Sequence, residues 1–146
     1  MIYLGADHRG YELKEKLKKF LEELGHDHED MGAYEYNKDD DYPDFAKAVA
    51  EKVTSGEGNK GIVVCGSGIG IAIAANKVKG IRAGTATDAK QAKDSVNDED
   101  LNVLALPADF IDEKQAKDIV EAFLDTPFSG IERHVRRVNK IKELEK

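Results

Sequence analysis

An apolar strand that runs directly into a glycine-rich loop is the feature that most constrains this sequence. Gly61–Cys65 is a continuous run rich in β-branched residues, and Gly66-Ser67-Gly68-Ile69-Gly70 follows it at once. Such runs are typical of central strands in parallel sheets, where helices cover both faces. Residues 71–77 favour a helix, so the pattern predicts strand, loop and helix in succession.

The same alternation extends along the whole chain. Apolar runs predict strands at 1–6, 61–65, 81–86 and 102–106, and a further strand is expected at 26–31. Helical spacing predicts helices at 11–24, 43–53, 71–77, 89–96, 116–123 and 132–145. The run at 26–31 is so polar that it belongs at a sheet edge. The sequence therefore predicts an α/β fold: a Rossmann-like three-layer α-β-α sandwich with a five-stranded, mostly parallel sheet in one domain, residues 1–146.

Composition narrows the classes of partner. Twenty-two Lys and Arg against 29 Asp and Glu give a net charge of −7, which disfavours nucleic acid and anionic membrane surfaces. No apolar run approaches the roughly 18 residues of a membrane span. The chain has one cysteine and so cannot form an internal disulfide, and its N-terminus lacks the pattern of a secretory signal. We therefore expect the protein to reside in the reducing cytoplasm.

A ligand site is expected where the strands end, and Asp7, Cys65 and Ser67 all fall there. The backbone N–H groups of Gly66–Gly70 could bind an anion, or the glycines could simply allow a tight turn. The loop matches neither the dinucleotide-binding fingerprint nor the P-loop. Cys65 is either a base or nucleophile activated by the following helix or a small buried apolar residue.

Two polar clusters have competing interpretations. Residues 26–30 offer metal-ligand types, but neighbours on a strand alternate faces, so we predict a solvated edge and no metal. The C-terminal helix carries a basic group that either binds a phosphate or complements its own acids and dipole: Arg133, His134, Arg136, Arg137 and Lys140. Its narrow apolar stripe of Val135, Val138 and Ile141 is typical of a helix that docks on a partner subunit.

Several short motifs occur in a fixed order over the chain. They are Gly5-Ala6-Asp7-His8-Arg9-Gly10-Tyr11 with Leu13-Lys14, Asp41-Tyr42-Pro43, Cys65-Gly66-Ser67-Gly68-Ile69-Gly70, Ala74-Ala75-Asn76-Lys77, Gly80-Ile81-Arg82-Ala83, Asn102-Val103-Leu104 and Arg133-His134 with Arg137-Val138. Together they resemble the ribose-5-phosphate isomerase type B family, which includes the galactose-6-phosphate isomerase subunits. The likeness covers essentially the whole chain.

The resemblance implies an aldose–ketose isomerisation through an enediolate, without a cofactor, most simply between ribose 5-phosphate and ribulose 5-phosphate. Some members use the strand-end Cys as base and others a Glu after the loop; here Ile71 follows the loop, which leaves Cys65. Ser67 stands in place of the family's usual Thr. The residues that the resemblance implies for substrate binding are Asp7, His8, Tyr42, Gly66, Gly68, Ile69, Gly70, Glu99, Arg133 and Arg137, with His8 and the two arginines on the phosphate side. The family also implies a homodimer or dimer of dimers with shared sites.

Three departures from the family pattern add carboxylates. Asp98 stands at the family's ring-opening histidine, Glu99 at its Asn neighbour and Asp109 at an arginine, and one extra residue precedes Arg133. We expect Asp98 to take over ring opening as an acid. Because the carboxylates oppose a phosphate unless they point away, a hexose 6-phosphate or an unphosphorylated aldose stays open as substrate, as does a non-catalytic sugar-phosphate sensor.

Overall fold

In a computed structural model, which describes residues 1–145, five strands form one sheet in the order β2-β1-β3-β5-β4. All four strand pairs are parallel. The strands are β1 (Ile2–Ala6), β2 (His28–Asp30), β3 (Lys60–Cys65), β4 (Ala83–Thr85) and β5 (Val103–Pro107). The helices are α1 (Tyr11–Glu23), α2 (Tyr42–Val53), α3 (Ile69–Ala75), α4 (Ala89–Glu99), α5 (Glu113–Asp125) and α6 (Glu132–Glu143). The predicted Rossmann-like α/β architecture is confirmed, with a fully parallel sheet.

Alternation along the strands divides the core into two layers. In β3, Ile62 and Val64 pack with α1, α4 and α5, whereas Val63 and Cys65 pack with α2 and α3. Successive side chains of a strand point to opposite faces, so one buried run supplies both layers. Cys65 therefore points toward the α2 and α3 face at the carboxyl end of the sheet.

The short outer strands differ most from their predicted bounds. β2 is confirmed at the sheet edge but has three residues, and β4 also has three. In β2, Asp30 binds Lys14 and Lys18 of α1, so the acidic segment anchors a helix instead of extending the strand. α4 is longer than predicted because Asp100 ends it in the left-handed conformation, with φ at 52°.

Two further features concern the surface. Among residues 1–145, no helix is both long and apolar enough to cross a membrane. In α6, Val138 is buried, whereas Val135 and Ile141 stay 38% and 39% exposed. The apolar stripe of α6 is thus only partly covered within one chain.

Candidate active site

The carboxyl ends of the strands, here called the carboxyl edge of the sheet, bring Asp7 beside Cys65. Asp7 follows β1 and Cys65 is the last residue of β3, and the Asp7 N–H donates to the Val64 carbonyl at 3.3 Å. Both residues are 4% exposed. Two of the residues predicted at strand ends are therefore neighbours in a largely buried position.

Asp7 is held by the turn that begins α1. Its Oδ1 accepts hydrogen bonds from the N–H groups of Arg9 at 3.0 Å and Gly10 at 3.1 Å. Burial raises the pKa of the Asp7 carboxyl above its ordinary value, although the Gly10 hydrogen bond acts in the opposite direction. A carboxyl group with a raised pKa is suited to exchange protons or hydrogen bonds with a sugar hydroxyl.

The glycine loop aims a backbone donor at the Cys65 sulfur. The Gly68 N–H donates to Sγ at 3.2 Å. Gly68 has φ at 72°, which glycine adopts freely, and a Cβ there would lie 2.9 Å from the Pro107 nitrogen. The tight turn therefore requires glycine, and it directs a backbone N–H at the Cys65 sulfur.

Only part of the loop is free to bind an anion. The Ile69 N–H donates to the Ser67 hydroxyl at 3.2 Å, and the Gly68 N–H is already bonded to sulfur. Gly70 lies in the first turn of α3, where N–H groups have no acceptor inside the helix. The free donors in this first turn begin at Gly70, one part of the predicted anion-binding loop.

Tyr42 forms a wall of the loop. It is the first residue of α2, and a Cβ on Gly70 would lie 2.7 Å from its Cζ. The ring therefore packs directly over Gly70, and the residue stays 39% exposed. The structure thus places Tyr42 against the glycine loop that follows Cys65.

His8 has a partner that the sequence does not reveal. Its backbone N–H donates to Asp40 Oδ1 at 2.9 Å, and its Nδ1 lies 2.8 Å from the same oxygen. The Asp40 side chain is 9% exposed, and Oδ2 is buried without a hydrogen-bond partner within residues 1–145. The acidic run at 37–41 is typical of a solvated loop, but the Asp40 side chain is largely buried, and nothing in the sequence distinguishes it from Asp39 and Asp41.

Asp7, His8 and Asp40 also form a compact polar group. Their potential ligand atoms lie within 4.8 Å of one another, the one such group among the described residues. Two of these side chains already bond to each other, and Asp7 bonds to the turn at α1, so we assign no metal to the group. In the 26–30 segment, Asp30 is occupied by Lys14 and Lys18.

Asp109 is paired with an arginine from the turn that follows β1. The Arg9 guanidinium forms an ion pair with the Asp109 carboxylate, and it lies so close to the loop that a Cβ on Gly66 would overlap it. The Asp109 N–H also donates to the Gly66 carbonyl at 3.0 Å. The carboxylate expected to oppose an anion here is thus balanced by a cation.

The remaining predicted site residues lie at the amino ends of the strands, here called the amino edge, opposite the carboxyl edge that holds Cys65. α4 starts after the carboxyl end of β4 and ends before the amino end of β5, a span of about 16 Å. Asp98 and Glu99 end this helix. α6 lies along the same edge. Just before α6 begins, the Ser129 N–H donates to the Asn97 carbonyl of α4, and just after it ends, Glu145 accepts from the Gly80 N–H in the loop before β4. Within one chain, Asp98, Glu99, Arg133 and Arg137 therefore do not join Cys65.

The amino-edge group has its own contacts. His134 is 6% exposed; its Nδ1 lies 2.6 Å from the Ser129 hydroxyl and its Nε2 3.8 Å from Asp98 Oδ1. Arg133 and Arg137 are exposed, and neither forms an ion pair with any residue in 1–145. Two unpaired guanidinium groups one helical turn apart remain free to bind an external anion.

Comparison with known proteins decides the family. The family model described as ribose/galactose isomerase matches residues 2–141. The chain belongs to this family. The resemblance drawn from the motifs is therefore confirmed, and the match covers nearly all of this chain.

Individual relatives agree with the family match. Ribose-5-phosphate isomerase B of Mycobacterium tuberculosis is 40% identical, over 99% of this chain and 90% of the relative. The structure of ribose-5-phosphate isomerase B from Clostridium thermocellum has a TM-score of 0.94 at 46% identity, covering 99% and 96% of the two chains. That of the Mycoplasma genitalium enzyme, with bound ribulose-5-phosphate, has a TM-score of 0.95 at 37% identity, covering 99% and 95%.

Proposed function

We propose that this member of the ribose/galactose isomerase family interconverts ribose 5-phosphate and ribulose 5-phosphate without a cofactor. The observation that carries the proposal is the buried Cys65 thiol at the end of β3, with the Gly68 N–H aimed at Sγ and Asp7 beside it. Relatives named ribose-5-phosphate isomerase B support the choice of substrate. A thiol base requires a reducing environment, so we place the enzyme in the cytoplasm.

The residues of the carboxyl edge divide the chemistry among them. Cys65 Sγ removes the proton from C2 of the open-chain aldose and returns it to C1. The proton of the C2 hydroxyl passes to the C1 oxygen, so that C2 becomes the carbonyl of the ketose and C1 carries its hydroxyl. Negative charge that develops on the enediolate oxygens is received by the Ser67 hydroxyl and the first-turn N–H of Gly70. Asp7 and Tyr42 bind sugar hydroxyls along the same edge.

A complete site requires a second copy of the chain. The phosphate needs a cationic clamp, and the unpaired Arg133 and Arg137 lie at the edge opposite Cys65. We propose a homodimer, or a dimer of dimers, in which the α6 arginines of one copy reach the carboxyl edge of the other. Exposed apolar residues beside both groups support such an interface: Ile69 and Ile73 on α3, and Ile131, Val135 and Ile141 around α6.

Replacement of Cys65 by Ala tests the base. We expect kcat for ribose 5-phosphate to fall by roughly 10² to 10⁴, the usual contribution of a positioned base. Thermal unfolding should stay cooperative, because removing one small sulfur leaves the β3 core in place. A Cys65→Ala variant that turns over at the wild-type rate would remove Cys65 from the mechanism.

A substrate panel for the wild-type protein tests the reaction itself. Ribose 5-phosphate, a hexose 6-phosphate and unphosphorylated ribose are compared for kcat/KM, and solvent deuterium is followed into each product. A higher kcat/KM for ribose 5-phosphate supports the proposal, whereas a higher kcat/KM for another sugar would identify that sugar as the substrate. Binding without deuterium exchange would indicate a sensor.

A further inference from the structure

From the contacts around Lys60 we infer that this residue is a nucleophilic amine, open to a cavity at the amino edge of the sheet, that is acylated by small acyl phosphates. Lys60 is the first residue of β3, and Cys65 is the last. Five residues of extended strand separate them, roughly 16 Å, so the amine lies away from the proposed active site. The inference concerns a modification site and does not rest on the isomerase function.

Lys60 extends an apolar row of β3. Ile62 and Val64 pack with α1, α4 and α5, and Lys60 precedes them at the same two-residue spacing on the same face. Its Nζ lies over the ring of Phe123 in α5, 4.8 Å from the ring centroid, and Phe123 is fully buried. The amine is therefore held at the end of a core row instead of extending freely into solvent.

No carboxylate is bonded to this amine. The Lys60 Nζ forms neither a hydrogen bond nor an ion pair with any residue in 1–145, and the Phe123 ring is its one close partner there. The nearby Asp100 carboxylate is bonded to another cation, because Arg82 Nη2 donates to its Oδ2 at 3.1 Å. The lone pair of the neutral Lys60 amine is thus free to attack an electrophile.

The surroundings of Lys60 favour its neutral form. Burial lowers the pKa of the Lys60 amine below its ordinary value; the charge of Asp100 opposes this change, and that of Arg82 adds to it. The other charged residues around the cavity, Glu57 and Asp125, are exposed, so solvent screens them. The phenyl ring attracts the ammonium but replaces only part of the hydration that burial removes. A larger fraction of this amine is therefore nucleophilic at neutral pH than in an exposed lysine.

A cavity of about 560 Å³ gives a small molecule access to the amine. Lys60 and Arg82 line this cavity together with an apolar wall: Val96, Leu124 and Phe128. Arg82 donates to Asp100 through Nε and Nη2, whereas its Nη1 makes no hydrogen bond within the described part of the chain. Nη1 can bind the phosphate of a donor, and the apolar wall suits a short acyl chain. This combination favours an acyl phosphate as the reagent.

The step is balanced with the acyl phosphate as the one co-reactant. The neutral Nζ attacks the acyl carbon and a C–N bond forms. The bond between the acyl carbon and the phosphate oxygen breaks, and inorganic phosphate leaves with its electron pair. One proton of the amine passes to water. Lys60 becomes an uncharged amide beside Arg82.

The experiment treats the native protein with acetyl phosphate and compares lysines within the same chain. Lys38 and Lys52, which are exposed, are the internal references. The reaction is run at pH 7 and at pH 10, and again in urea. After unfolding, the remaining amines are capped with deuterated acetic anhydride, so mass spectrometry gives the acetylated fraction at each lysine. N-hydroxysuccinimidyl acetate serves as an uncharged donor, and Lys60→Met is the matched variant.

We expect acetyl phosphate to modify Lys60 roughly threefold or more faster than Lys38 and Lys52 at pH 7, because more of its amine is neutral. The ratio should fall at pH 10, where the exposed amines also lose protons, and should disappear in urea. Lys60→Met should unfold at a higher urea concentration at pH 7, because the unfavourable burial of an ammonium is removed. Its turnover of ribose 5-phosphate should match that of the wild type.

Other outcomes would overturn the inference. If Lys60 is acetylated no faster than Lys38 and Lys52 at pH 7, or if the ratio is the same at pH 10, the amine is not activated by its surroundings. Selectivity for Lys60 with the uncharged donor alone would exclude acyl phosphates as the reagent. A Lys60→Met variant that is less stable than the wild type at pH 7 would contradict the cost of burying the ammonium. Failure of the isomerase function would change none of these results.

Discussion

The buried position of Asp7 lowers the stability of the folded chain at neutral pH. Burial raises the pKa of its carboxyl, with the Asp40 carboxyl acting in the same direction. Ionisation of Asp7 is therefore less favourable in the folded protein than in the unfolded chain, and that difference enters the free energy of unfolding. The stabilising contribution is complete below the unfolded pKa, near 3.8, and is lost as the pH rises through the higher folded value.

Asp7→Asn should therefore stabilise the protein at pH 7 while reducing turnover. The Asn Oδ1 keeps the hydrogen bonds from Arg9 and Gly10, but the side chain no longer ionises. We expect a higher urea midpoint at pH 7, a gain that shrinks as the pH approaches 4, and a fall in kcat of roughly tenfold or more. A gain that is the same at both pH values, or a destabilised variant at pH 7, would contradict the raised pKa.

Single residues were predictable where they adjoin a strong pattern. Cys65 follows a buried run and precedes glycines, so its place at a strand end could be predicted. Lys14 could not: it occurs in a charged helix, yet it is 0% exposed, with Nζ bonded to Asp30 and the Ala33 carbonyl. Like the contact of Asp40 with His8, this pairing joins segments far apart in sequence, and local spacing carries no signal for it.

At the scale of elements, boundaries are fixed by contacts that periodicity does not show. β3 was predicted except for its first residue, because the side chains from Ile62 to Cys65 are apolar and buried on both faces, whereas Lys60 is charged and only partly buried. α3 starts two residues earlier than predicted, because Gly68 in the left-handed conformation is already its N-cap. The loop between β3 and α3 is thus shorter than its glycine content suggests, and its packing against β5 limits which side chains it can carry.

Gly68→Ala should destabilise the protein more than Gly25→Ala does. Both glycines have positive φ, 72° and 79°, but a Cβ at Gly25 meets nothing within 4 Å, whereas at Gly68 it lies 2.9 Å from Pro107 N and Thr85 Cγ2. We expect about 1 kcal/mol for Gly25→Ala from the left-handed backbone alone and a further 1–3 kcal/mol for Gly68→Ala from overpacking. Urea unfolding measures both, and equal losses would show that the β5 contact contributes nothing.

At the scale of the whole molecule, sheet topology separates the predicted site into two groups. Parallel strands place Asp7 and Cys65 at the carboxyl edge, and the antiparallel course of α4 carries Asp98 to the amino edge. The sheet and its layers could be predicted from alternation, but spacing along the chain does not reveal which residues share an edge. The exposed Arg133 and Arg137 join Cys65 only if two copies combine, which leads to a test by complementation.

Chains that are defective in different halves of the site should restore activity when they are mixed. Cys65→Ala and the double variant Arg133→Ala, Arg137→Ala are each expected to be nearly inactive with ribose 5-phosphate. When the two are co-expressed in equal amounts and assemble at random, a site that takes Cys65 from one copy and both arginines from the other is intact in about a quarter of cases. We therefore expect about a quarter of the wild-type rate per site, whether the assembly is a dimer or a dimer of dimers. Because every chain carries one defect, a site built within a single chain would leave the mixture as inactive as the separate variants, and that result would contradict the shared site.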